Sequence, residues 1–145
     1  MKFVLNPYDE FAVEEALALK EQAGDGEVVA ISLGTDASQE TIRTALAMGV
    51  DRGVLLRTDG SPLDPLPIAQ ALAEELREGG YDLVLFGKLA IDDYSHAVGA
   101  MVAELLGYPC VSSVAHLALA EGAGTAEREV EGGVEVVQFG LPAVL

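Results

Sequence analysis

Tryptophan is missing from this sequence, cysteine occurs once, and lysine and arginine together number 8 against 24 aspartates and glutamates. A lone cysteine, Cys110, excludes an internal disulfide, and no Cys or His cluster has metal-ligand spacing. Cys110 is therefore read as a small buried residue on a strand. The shortage of positive charge leaves a formal net charge of −16, so a nucleic acid backbone would be repelled, while basic protein partners remain open. Most of the acids read as solvated helix faces. Apolar runs stay far below the roughly 20 residues of a membrane span, so no membrane insertion is expected. Met1 to Leu5 runs at once into Asn6 and Pro7, which does not read as a signal peptide; the expected location is cytoplasmic. Both G-x-G-x-x-G and G-x-x-x-x-G-K-[ST] are absent, so any nucleotide must be held by a different loop chemistry.

What is there is a core-former. Half of the 145 residues are apolar and 22% are charged, the proportions and length of a single globular domain. Lys2 to Leu5 reads as a brief extended stretch, and Asn6-Pro7-Tyr8-Asp9 as a turn with Asp9 as helix N-cap. Phe11, Ala12, Glu15, Ala16 and Leu19 share a helical period that Gly24 stops. Glu27 to Leu33 is β-branched and nearly all apolar, a central parallel strand closed by Gly34. Thr41 to Met48 is a short helix ended by Gly49, and Arg52 to Leu56 is the next strand. Arg57 to Pro67, with three of the six prolines, predicts a loop. A helix is expected over Ile68 to Arg77, then a strand from Leu83 to Phe86 ending at Gly87. The polar turn GKLAIDDYSHA follows, and a helix on Val98, Met101, Val102, Leu105 and Leu106. Past Pro109 come short strand-like runs, Cys110 to Val114, His116 to Ala120, Thr125 to Val130 and Val134 to Phe139, with Gly132-Gly133 as a hairpin signal. Strands alternating with helices give an α/β fold with a doubly wound, mostly parallel sheet and an antiparallel C-terminal β-hairpin.

In such sheets ligands sit at the carboxyl ends of strands, so the loop after Gly87 is the candidate site. Ser95 and His96 are adjacent, but a loop does not aim neighbours at one another, and no G-x-S-x-G elbow is present. Asp92 and Asp93 fit two roles, helix capping or holding a ribose hydroxyl, and supply too few oxygens for a metal. Lys88 reads as a phosphate contact or as a solvated lysine, and His116 as structural. From the residues alone, the reading stops at a nucleotide-sized ligand or a partner at the Gly87–Gly99 loop.

Four stretches carry a resemblance. Asn6-Pro7-Tyr8-Asp9-Glu10 with FAVEEALALKE, the run ETIRTALAMGVDRGVLL from Glu40, LVLFGKLAIDD from Leu83, and the tail Ala126 to Val137 with Pro142 to Leu145 resemble, in order, the beta subunit of electron transfer flavoprotein. The resemblance implies a Rossmann-like fold of the adenine-nucleotide hydrolase type. It also implies a buried structural AMP, and an FAD shared with an alpha subunit that holds most of it. Electrons would pass from acyl-CoA or other dehydrogenases to an acceptor, which makes the chain a carrier subunit and not an enzyme by itself. By the same resemblance the nucleotide site would use Asn6, Pro7, Tyr8 and Asp9, Leu33, and Gly87, Lys88, Leu89, Ala90, Ile91, Asp92, Asp93, Tyr94, Ser95, His96, Ala97 and Val98. Backbone groups of Ala90 and Asp93 would hold the adenosine, and Tyr8 would stand near the flavin.

The chain also departs from the family pattern. His96, Ala97 and Val98 stand where the family's phosphate turn has a glutamine and polar neighbours, so either His96 donates in its place through a ring N–H or the phosphate position is empty. The family's N-terminal strand, which lies in mid-sheet, and its C-terminal arm are expected to be missing, which leaves backbone unpaired unless something substitutes. The competing reading is a free-standing adenine-nucleotide-binding homo-oligomer without electron transfer. A small hydrolase or ligase ranks last, for lack of a catalytic set.

Overall fold

The computed structural model describes residues 2–5, 10–61, 63–87 and 94–145, with 2–5 and 94–96 described in backbone only. In chain order the elements are β1 (Lys2–Leu5), α1 (Glu10–Ala23), β2 (Glu27–Gly34), a 3-10 turn (Asp36–Ser38), α2 (Gln39–Met48), β3 (Arg52–Arg57), α3 (Pro65–Gly79), β4 (Leu83–Leu85), α4 (Tyr94–Leu106), β5 (Val114–Ala120), β6 (Ala123–Val130), β7 (Gly133–Gly140) and β8 (Ala143–Val144). Two sheets result. Five strands run parallel in the order β3-β2-β1-β4-β8, and three run antiparallel in the order β5-β6-β7.

β2 shows why the parallel sheet sits at the centre. Val28 to Ser32 are all buried, as a strand covered on both faces must be, and valine and isoleucine suit that enclosed, pleated position. Alternate side chains point to opposite faces. Val28 and Ala30, with Leu83 and Leu85 of β4, pack against Val13, Ala16 and Leu19 of α1 and Ala45 of α2. Val29, Ile31 and Val84 pack against Leu72 and Leu76 of α3 and Val102 of α4. The antiparallel sheet covers the α1 side, where Ala126 and Phe139 join the same cluster. Helix ends follow local chemistry: Gly49 takes a left-handed φ of 118° and returns its N–H to Leu46 O at 3.1 Å, a backbone state open to glycine.

The structure alters several expectations. The middle of the sheet has its strand, because Lys2–Leu5 lies between β2 and β4 with Val4 beside Val29 and Val84. These four residues substitute where backbone would otherwise be unpaired. α3 starts at Pro65 rather than Ile68, since proline in a first turn surrenders only an N–H that has no intrahelical partner anyway. Tyr94 to Ala97 belong to the first turn of α4 and not to a loop. The C-terminal hairpin is a three-stranded sheet, and the stretch Cys110 to Val114 joins it only at Val114; Cys110 makes one backbone bridge, to Val144. Cys110 is exposed and not a buried strand residue, because it lies in the bend between α4 and β5.

Candidate functional site

From β1 the chain moves outward to β2 and β3, then returns through α3 to β4 on the other side of β1. The strand order thus reverses between β1 and β4, and a crevice at the carboxyl ends of those strands is where an open α/β sheet receives its ligand. The ends are not level. Leu5 of β1 lies beside Leu85 of β4 and beside Ala30 of β2. β2 runs four residues further, with Ile31 to Gly34 paired to Val54 to Arg57 of β3. On the far side, Phe86 and Leu145 continue past β4 through Phe86 N–H to Leu145 O at 2.8 Å. Among the described residues β2 thus stands above β1 and β4, and the step between them, a notch, has the upper part of β2 on one side.

Ser32 stands in that wall. It is 2% exposed, and its Oγ has no hydrogen-bond partner among the described residues. By alternation it shares a face with Val28 and Ala30, the side of α1 and α2. Beyond it, Gly34 leaves room for Ser38, whose side chain occupies the space a Cβ would need.

Beside the notch, under α1, lies a cavity of about 640 Å³. Its walls include Ala12 and Glu15 of α1, Phe86 and Gly87 after β4, Ser113 in the bend before β5 and Val114 at its start. Ser113 holds a φ of 55°, an uncommon state for a residue with a side chain. Phe11, 81% exposed, also borders the cavity. Glu14 and Glu15 give it a negative edge, so it suits an apolar or cationic group better than a phosphate. Although Cys110 is exposed, partial desolvation of its sulfur against the cavity wall pushes the thiol up, which disfavours the nucleophilic thiolate.

The other perturbed groups lie elsewhere. Asp51 is held below its ordinary range by hydrogen bonds from Lys20 and then the Val28 N–H. Arg52 is raised, first by its bond to Glu27, and Tyr81 is raised by burial. All three stand at the amino end of the sheet. Asp59, in a loop, is lowered by the Ser61 N–H. Among the described residues no His, Cys, Asp and Glu group could hold a metal ion, and no helix is long and apolar enough to cross a membrane. The described part of the crevice presents no paired acid and base.

Residues 2–145 match the electron transfer flavoprotein domain. The chain belongs to the electron transfer flavoprotein domain family. Its similarity to curated proteins points to one kind of subunit. Over 145 residues it is 42% identical to the electron transfer flavoprotein subunit beta of Syntrophomonas wolfei, covering 100% of this chain and 57% of that protein. The subunit beta of Mus musculus is 42% identical over 148 residues, covering 100% and 58%, and that of Bacillus subtilis 38% over 146, covering 99% and 56%. The chain thus spans a little over half the length of these relatives.

The family's site residues divide by where the structure puts them. Leu33 is half-buried near the end of β2, and Gly87 is buried just past β4, on strands that flank β1. Ala97 is half-buried in the first turn of α4. Val98 is 6% exposed and packs in the core with Val102 and Leu72, which leaves its backbone for any ligand. Asn6, Pro7, Tyr8 and Asp9 lie outside the described residues, as do Lys88, Leu89, Ala90, Ile91, Asp92 and Asp93. Tyr94, Ser95 and His96 are described as helix backbone alone. Sequence reasoning missed Ser32. Its signal was a single hydroxyl in the otherwise apolar run from Val28 to Leu33.

Proposed function

We propose that the chain is the nucleotide-binding core of an electron-carrier subunit, the beta subunit of an electron transfer flavoprotein, with a Rossmann-like fold of the adenine-nucleotide hydrolase type. The observation that carries this is the family match across residues 2–145, with relatives named as beta subunits, on a sheet whose order reverses between β1 and β4. In this reading AMP lies in the notch, held by Asn6 to Asp9, Leu33 and the segment Gly87 to Val98. FAD, when bound, supplies the redox chemistry, and the protein supplies position and electrostatics. The apolar cavity edged by Phe11 suits a flat ring system, and Tyr8 would lie near it. An alpha subunit completes the flavin site, acyl-CoA or other dehydrogenases deliver electrons, and the chain works as a cytoplasmic carrier rather than as an enzyme.

Native mass spectrometry of gently purified protein, with an absorbance scan of the same sample in the flavin region, tests this. The expected result is AMP released on denaturation, with flavin absorbance appearing only alongside an alpha-type partner. A bare, colourless homo-oligomer without nucleotide or flavin would overturn it. A colourless homo-oligomer that releases AMP would replace it with the free-standing nucleotide-binding module.

A further inference from the structure

We draw no further inference here: the strongest candidate, the exposed apolar patch that Val134 and Val136 form on β7 of the antiparallel sheet, carries nothing because nothing in the structure shows what covers it.

Discussion

At the amino end of the parallel sheet side-chain bonds tie several elements together; at the carboxyl end the described residues offer the exposed pair Arg57–Asp36, at 3.1 Å. Asp51 accepts a bond from the Val28 N–H at 2.8 Å and from Lys20 Nζ at 2.8 Å, while its own N–H reaches Val28 O at 3.0 Å. Next to it, Arg52 Nη2 spans from Glu27 at 3.1 Å to the Tyr81 hydroxyl at 3.3 Å. One acid and one base, adjacent in sequence, thereby join α1, β2, β3 and the approach to β4. The carboxyl end has strands of unequal length, a solitary buried serine and glycines at 34 and 87. Among the described residues the amino end is thus the more densely cross-linked of the two.

The largest effect that tests this division is expected at β4. Leu83 is fully buried at its amino end, and Leu83→Ala should lower unfolding free energy by about 3 kcal/mol in urea denaturation, through lost burial and a residual cavity. A loss under about 1 kcal/mol would mean that this end is poorly packed. Asp51→Ala comes next. It removes bonds to a charged lysine and to a backbone N–H, but the carboxylate is 35% exposed, so about 1–2 kcal/mol is expected once solvent screening is allowed for. No change in the urea midpoint would leave Arg52 as the sole tie.

That contribution should depend on pH with a definite sign. The folded pKa of Asp51 is depressed, so its stabilisation is present above the unfolded value of about 3.9 and disappears as pH falls through the folded value. The gap between wild type and Asp51→Ala should hold from about pH 7 to pH 5 and close only as pH falls through the depressed folded value; a gap that persists in stronger acid would assign the effect to packing. Smallest is the contrast with the other end. Ser32→Ala, in the ligand-free chain, should shift the midpoint upward by no more than a few degrees, the opposite sign to Asp51→Ala. Opposite signs at the two ends are the sharpest form of the comparison.

Much of the fold was legible in local pattern. The run from Val28 to Leu33 announces a strand covered on both faces, and Gly24 and Gly49, both at positive φ, close their helices. What failed was non-local or too short for a period. Lys2–Leu5 carries no sign that it enters the sheet between β2 and β4, because that placement depends on partners far along the chain. Ala143–Val144, two residues long, cannot show alternation, although both are buried and pair with β4. The prolines from Pro62 to Pro67 suggested a longer loop because Pro65 and Pro67 also fit a helix's first turn. Of the candidate site, the strand–loop–helix order from Leu83 was readable, and the family resemblance supplied the residue roles. Ser32 escaped because one hydroxyl in an apolar run looks like an ordinary small residue until the neighbouring strand is seen to stop short of it.

The antiparallel sheet leaves and rejoins the main body at a single place. Val111 N–H meets Val144 O at 3.0 Å, and Val144 N–H meets Pro109 O at 2.9 Å, so outgoing and returning chain lie side by side. The whole of β5 to β7 is thus an excursion with almost coincident anchor points, the geometry that tolerates exchange of one module for another because closing the junction adds little entropy cost. Its attachment to the body is made instead by Ala126 and Phe139 pressed into the α1 layer. A transplanted module would need to reproduce that small apolar footprint and little else, which makes this face of the molecule the natural place for shape to diversify while the parallel sheet stays fixed.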